Sequence, residues 1–169
     1  MVHRSVRSGQ AVAALAVVLV LCFGPAYGAG SGPETEDPLS DDLGPRPELS
    51  PAEVIRIQLE ALRNNDERNR GIEVAFRFAS PANRASTGPL PRFVRMIEEG
   101  PYALMLEYRE AIFGAVEVRA ERARQRVTLT GARARISYWF HLSRQSDAPF
   151  VGCWMTDAVY IEKVAARAA

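Results

Sequence analysis

The stretch that decides the fold is ARARISYWFHLSR at residues 132–144, together with FVGCWMTDAVYI at residues 150–161. Apolar and polar residues alternate through the first stretch, and one side of it collects Ala134, Ile136, Tyr138, Phe140 and Leu142. A period of two is typical of a strand with one buried face. Because turn-forming residues fill positions 146–149, the sequence predicts antiparallel neighbouring strands at 134–144 and 150–161.

The register of this strand pair follows from matching the two apolar faces, since a slip of one residue would invert every side chain. Pairing Gln145 with Phe150 satisfies this condition. It also places Tyr138 opposite Asp157, so that two polar groups meet on an otherwise apolar face. This polar pair is the first candidate site that the sequence offers.

Two further strands are predicted ahead of this pair, at 108–119 and 122–130. The two-residue links at 120–121 and 131–132 are short enough for tight hairpins, and the second contains a glycine that favours such a turn. Four consecutive strands joined in this way form an antiparallel meander.

Carrying the register across these links gives the remaining pairs of the predicted sheet. Ile112 comes to lie opposite Leu129 on the core face, and Gln125 comes to lie opposite Tyr138. The predicted polar rung therefore crosses three strands and consists of Gln125, Tyr138 and Asp157.

Three helices are predicted ahead of the strands. The sequence SPAE at residues 50–53 has the pattern of a capping box with proline at the first helical position, and apolar spacing continues this helix to about residue 64. The same spacing predicts helices at 72–79 and 91–99, the first of them ended by Ser-Pro at 80–81. Helices followed by a meander predict an α+β fold, with N-terminal helices packed on a curved four-stranded antiparallel sheet.

The N-terminus has the three parts of an export signal. Arg4 and Arg7 supply positive charge, AVAALAVVLVLCF at 11–23 is apolar, and Ala-Tyr-Gly at 26–28 is a small-x-small cleavage site. The apolar run is short for a transmembrane span. We therefore predict a signal peptide at 1–28 and an exported mature chain, periplasmic or secreted. The alternative is an uncleaved signal that serves as a membrane anchor.

Composition divides the rest of the chain into three segments. Residues 29–49 are rich in proline, glycine and acidic residues, which bury little apolar surface, so a disordered linker is predicted there. The folded domain follows at 50–162, and residues 163–169 form a flexible tail. Removing the signal leaves 21 − 2 = 19 basic residues against 20 acidic ones. This balance gives no reason to expect binding to nucleic acid.

Several short motifs follow one another along the folded domain: the Gln58…Leu62 helix, the Phe78-Ala79-Ser80-Pro81 turn, Arg92-Phe93…Met96, Phe113-Gly114, Gln125, Leu142-Ser143-Arg144-Gln145 and Gly152-Cys153-Trp154. In these motifs the chain resembles the domain of unknown function 4864 family, which is similar to nuclear-transport-factor-2-like and cystatin-like cone folds. The resemblance implies a curved sheet wrapped over a long N-terminal helix, with a pocket in the cone. It implies no catalytic residues.

The rung of Gln125, Tyr138 and Asp157 has two interpretations. In the functional one, it lines the pocket and orients a small polar ligand, or Asp157 acts as general base and Tyr138 as hydrogen-bond donor in an isomerase or hydro-lyase. Burial raises the pKa of a carboxylate, which suits a base. In the structural one, the three groups satisfy one another and nothing binds. The predicted function is a non-catalytic module that binds a small ligand or another protein, with the enzyme as the alternative.

Nucleophilic and metal chemistry find little support in the sequence. Cys153 and His141 are the only cysteine and histidine left after signal removal, and the predicted register puts them on opposite faces of the sheet. A thiol without a nearby base or cation is inert. One histidine and one cysteine do not make a zinc ligand set, and Cys153 has no partner for a disulfide within the chain. We therefore expect no metal and no cofactor.

The outer face of the predicted sheet carries aromatic residues and arginines. The register places Trp154 opposite His141 and close to Trp139, and Arg124 opposite Trp139 as a cation–π partner. Exposed tryptophans are typical of interfaces, so this patch predicts a homodimer. The same face carries a basic stripe that is either solvated or meets an anionic partner such as the acidic linker: Arg122, Arg124, Arg126, Arg133 and Arg135.

Overall fold

The computed structural model describes residues 39–40 and 42–162 of the chain. The predicted signal peptide, most of the predicted linker and the predicted tail lie outside these residues. Helix α1, Pro51–Arg63, begins with the predicted capping box. The hydroxyl of Ser50 accepts from the backbone N–H of Glu53 over 3.3 Å, and the Glu53 carboxylate accepts from the backbone N–H of Ser50 over 2.7 Å.

Four more α-helices precede the sheet: α2 Arg70–Arg77, α3 Pro81–Thr87, α4 Leu90–Glu98 and α5 Leu104–Glu107, with a 3₁₀ turn at Gly100–Tyr102. Helix α3 is absent from the prediction, in which Ser80 and Pro81 only end the preceding helix. Instead, Ser80 caps a new helix by accepting from the N–H of Asn83 over 3.3 Å, and Pro81 stands at its first position. Serine followed by proline is a signal for a helix start as much as for a helix end.

The sheet contains β1 Glu110–Arg119, β2 Arg122–Thr130, β3 Arg135–Arg144 and β4 Trp154–Ile161, antiparallel and in sequence order. The predicted α+β class, with helices before a four-stranded antiparallel sheet, is confirmed. The helices and the inner sheet face share one core, whose residues with no exposed surface include Val54, Ile55, Leu59, Ile72, Val127 and Tyr138. None of the helices in 39–40 and 42–162 is long and apolar enough to span a membrane.

A bulge in β1 corrects the first predicted register. Val116 pairs with Gln125, but the register shifts by one residue between Phe113 and Val116. Ile112 therefore pairs with Thr128 instead of Leu129, and it is 46% exposed on the outer face. A bulge inserts one extra residue into one strand, which reverses the side-chain alternation beyond it.

The second predicted register is wrong by two residues, because the hairpin between β2 and β3 is longer than predicted. Thr130 pairs with Arg135, so that residues 131–134 form the loop. Gln125 consequently lies opposite Phe140, and Tyr138 lies opposite Val127. A shift of two residues keeps each strand residue on its predicted face, so Tyr138, Phe140 and Leu142 are still buried.

The third predicted register is wrong for the same kind of reason. Residues 150–153 belong to the connection between β3 and β4, and the backbone of Gln145 pairs with Cys153 through an N–H···O bond of 2.9 Å. Tyr138 pairs with Ile161, and a bulge in β4 falls between the partners of His141 and Leu142. The extra residue in this bulge is Asp157.

The packed part of the chain begins before α1. Leu43 and Leu49, which composition assigned to the linker, are 6% and 9% exposed and belong to the core. Each buried leucine contributes roughly 1.5–3 kcal/mol towards holding this otherwise polar segment against the domain.

Candidate functional site

The predicted rung of Gln125, Tyr138 and Asp157 does not form, since the two longer loops separate its members along the strands. Gln125 is 3% exposed, and its side-chain amide donates to the backbone oxygen of Gly114 over 2.8 Å. Gly114 belongs to the β1 bulge, so Gln125 satisfies a carbonyl in the disrupted ladder. The Oε1 atom of Gln125 is buried and has no partner among the described residues.

Tyr138 has no exposed surface, and its hydroxyl donates to the backbone oxygen of Pro101 over 2.7 Å. Its ring stacks on Tyr102 with centroids 6.3 Å apart. Burial raises the pKa of Tyr138 well above its usual value, and the neighbouring Tyr102 hydroxyl adds to this. Tyr138 therefore holds the turn between α4 and α5 against the sheet.

Asp157 is the bulged residue of β4, and its carboxylate accepts from the hydroxyl of Ser143 over 2.9 Å. Ser143 alternates with the buried Leu142, so the carboxylate is held on the outer side of the sheet. Asp157 also borders a cavity, whose described lining includes neither Gln125 nor Tyr138.

This cavity, here called the edge cavity, measures about 200 Å³ and lies between the free edge of β4 and helices α2 to α5. Its apolar lining consists of Ala75, Ala79, Phe93, Met96, Ile97, Met105, Ala158 and Val159. Its polar lining consists of Gln58, Asn83, Ser86, Thr87, Tyr102, Thr156 and Asp157. Sequence reasoning missed most of these residues, because they come from five helices, the 3₁₀ turn and β4.

Thr156 connects the cavity wall to the helices. Its backbone N–H donates to Phe78 O and its backbone oxygen accepts from Ser80 N–H, both over 2.9 Å, in a short parallel bridge. Its hydroxyl donates to the Oε1 atom of Gln58 over 2.6 Å, and the amide of Gln58 donates to Ala75 O over 2.9 Å. The bridge covers one part of the β4 edge and leaves the adjoining part beside the cavity.

The outer face of the sheet carries three of the four predicted interface residues. The guanidinium of Arg124 lies 5.1 Å from the ring centroid of Trp139, although Arg124 is paired with His141 in the ladder. His141 contacts the exposed Tyr160 edge-to-face at 5.3 Å. The prediction that Trp154 lies on this face is wrong. Trp154 pairs with Arg144 and packs against the core, because the Asp157 bulge reverses the alternation of β4.

Acidic residues neutralise part of the predicted basic stripe. Arg124 forms an ion pair of 2.7 Å with Glu117, and Arg126 forms one of 2.6 Å with Glu162. The hydrogen bonds from Arg126 hold the pKa of Glu162 below its usual value. A groove of about 320 Å³ on this face is lined by Glu117, Arg119, Arg122, Ala123, Arg124 and His141.

The chemistry of Cys153 agrees with a structural role. Cys153 is 3% exposed, and burial raises the pKa of its thiol, with the carboxylate of Glu48 adding to the effect. His141 contacts Tyr160 on the outer face. Within residues 39–40 and 42–162, no three His, Cys, Asp or Glu side chains lie close enough together to hold a metal ion.

The fold and the site define a small α+β domain with helices on one face of an antiparallel meander and a cavity at the edge of the sheet. The chain belongs to the family described as Domain of unknown function (DUF4864), whose model matches residues 48–169. None of the curated proteins or solved structures compared with the chain matches it.

Proposed function

We propose that the protein binds a small molecule in the edge cavity. The observation that carries this proposal is the lining itself, in which most of the surface is apolar and polar groups converge from α1, α3, the 3₁₀ turn and β4. Binding sites for small molecules typically combine an apolar wall with a small number of convergent polar groups. The cavity of about 200 Å³ is smaller than the range of roughly 300–1,000 Å³ usual for drug-sized ligands, so the proposed ligand is small.

The outer groove supports ligand binding less well. Its central cation, Arg124, already has Glu117 as ion-pair partner and Trp139 as cation–π partner. An anion entering this groove would have to compete with both contacts. A ligand that enters the edge cavity does not have to compete with such contacts.

The contacts of Tyr138 argue against the alternative reaction, with Asp157 as base and Tyr138 as donor. Tyr138 does not line the edge cavity, and the Pro101 carbonyl takes its hydroxyl hydrogen. The carboxylate of Asp157 accepts a hydrogen bond from the hydroxyl of Ser143. A general acid–base pair needs both groups within hydrogen-bond reach of one substrate, and these contacts hold the two groups apart.

A thermal-shift screen with metabolites of this size tests the proposal. Ala75 lies on α2 and lines the cavity, so Ala75→Leu should fill it without breaking the helix. Ala82→Leu is the matched control, since Ala82 is exposed on α3 and does not line the cavity. A ligand at one hundred times its Kd should stabilise the wild-type chain and the control by about 2.7 kcal/mol, and it should leave Ala75→Leu unchanged. Equal stabilisation of both variants, or no hit in the screen, would contradict the proposal.

A further inference from the structure

The free edge of β4 presents a backbone donor to the edge cavity. Glu162 N–H donates to Ser137 O over 2.8 Å, so Glu162 belongs to a hydrogen-bonded pair of the ladder. Hydrogen-bonded and non-hydrogen-bonded pairs alternate along an antiparallel ladder, and Val159, three positions away, belongs to a non-hydrogen-bonded pair. Val159 therefore directs its N–H and C=O away from β3. The hydroxyl of Tyr102 donates to this C=O over 2.9 Å, which agrees with that direction. No described side chain accepts from the N–H of Val159.

Helix α3 presents an acceptor to the same cavity. The side-chain amide of Asn83 donates to Thr156 O over 3.0 Å, which orients the carboxamide. Its Oδ1 atom lies 3.4 Å from the Thr87 hydroxyl, whose hydrogen goes to the Asn83 backbone oxygen at 2.8 Å. The hydroxyl of Ser86 also donates to that backbone oxygen, over 2.9 Å. The Oδ1 atom of Asn83 therefore keeps lone pairs that can accept a hydrogen bond from a ligand in the cavity.

The charges around the cavity disfavour ionic ligands. No arginine or lysine is among the described residues that line it. The nearby Arg92 donates to the backbone oxygens of Ser86 and Gly88. Asp157 is the one charged residue in the described lining, and Ser143 holds its carboxylate on the outer side. An anion bound in the cavity would have no counter-charge, and burying an unpaired charge in an apolar site is costly. A cation that has only hydrogen-bond donors would leave the N–H of Val159 without an acceptor.

We propose that the ligand class of the edge cavity is a small uncharged carboxamide on an apolar body, an inference that rests on the proposed function. The carboxamide oxygen accepts from Val159 N–H, and its N–H donates to Asn83 Oδ1. The apolar body lies against Phe93, Met96 and Met105.

Three probes of nearly identical shape separate the possible chemistries: benzamide, benzamidine and benzoate. Benzamide has both donors and an acceptor, benzamidine is a cation with donors only, and benzoate is an anion with acceptors only. Titration calorimetry with the full chain should show benzamide binding at least about tenfold more tightly than either analogue, a difference of about 1.4 kcal/mol. Asn83→Asp should move the preference towards benzamidine, while Ala82→Leu should keep the wild-type order.

The outcomes separate the ligand class from the proposed function. Tighter binding of benzamidine or benzoate, lost in Ala75→Leu, would overturn the carboxamide class and leave the cavity as a binding site. Binding of other screened compounds without any binding of benzamide would do the same. No binding by any probe or screened compound would overturn both. The order of the three probes' affinities for the wild-type chain decides the ligand class even if the Asn83→Asp variant does not fold.

Discussion

The hydroxyl of Thr156 on β4 donates to Oε1 of Gln58 on α1 over 2.6 Å, across 98 residues of sequence. Both side chains are buried, with exposures of 1% and 6%. This bond joins the edge strand to the first helix and forms part of the wall of the edge cavity.

We expect Thr156→Val to lower the free energy of unfolding by about 1–3 kcal/mol, because the substitution preserves the shape but leaves Gln58 Oε1 buried without a donor. Urea denaturation measures the change. Thr130→Val is the matched control, since Thr130 is half-buried on β2 and its hydroxyl makes no hydrogen bond within the described residues. If both variants lose the same stability, the Thr156–Gln58 bond does not contribute as proposed.

The raised pKa of Tyr138 predicts that the free energy of unfolding changes with pH in the alkaline range. Its pKa is raised above the usual value of 10.0 by burial, so the unfolded chain loses this proton at lower pH than the folded chain. The stabilisation is therefore complete below about pH 10 and is lost as the pH rises through the folded-state pKa. Tyr102 and Tyr108, whose pKa values burial also raises, contribute in the same direction.

Tyr138→Phe should lower stability at neutral pH by about 0.5–1.5 kcal/mol, because the hydrogen bond to Pro101 is lost. It should also weaken the decline of stability above about pH 10, since one fewer tyrosine resists ionisation. Urea denaturation of the wild-type chain and of the variant across this pH range gives, for each, the slope of the free energy of unfolding against pH. Equal slopes would show that Tyr138 ionises in the folded state as readily as in the unfolded chain.

The homodimer through the outer sheet face stays a prediction, now with a revised patch of Trp139, His141 and Tyr160. Glu117 and Glu162 neutralise Arg124 and Arg126, which reduces the repulsion between two copies of this face. We expect sedimentation of the mature chain to show a dimer that Trp139→Ser combined with Tyr160→Ser weakens at least about tenfold, since tryptophan and tyrosine are frequent interface anchors.

Val151→Ser is the matched control for the dimer, because Val151 is 57% exposed in the loop between β3 and β4, away from the patch. This variant should sediment as the wild-type chain does. A wild-type chain that stays monomeric at high concentration would contradict the predicted dimer.

We also expect export with cleavage near Gly28, because charged, apolar and small-residue segments follow one another at the N-terminus. N-terminal sequencing of the protein from periplasm or medium should begin at Ala29 or Gly30. Recovery of the chain from membranes with Met1 intact would favour the anchor instead.

Local sequence determined the features that depend on neighbouring residues. The capping box at Ser50 and Glu53, the bounds of β2 and the alternation of Tyr138, Phe140 and Leu142 were all predictable. Each depends on contacts within a few residues or on a periodicity of two, so no distant partner is needed to specify it. The fold class followed from the order of these elements.

The tertiary structure alone decided the strand registers and the site. Loop residues 131–134 shift β2 against β3, and the bulge at Asp157 reverses the faces of β4, so the predicted rung became three separate hydrogen-bonded residues. Neither change alters the local pattern of apolar residues. The edge cavity depends on contacts such as that of Asn83 with Thr156, which are 73 residues apart, and only packing of helices against the sheet brings such groups together.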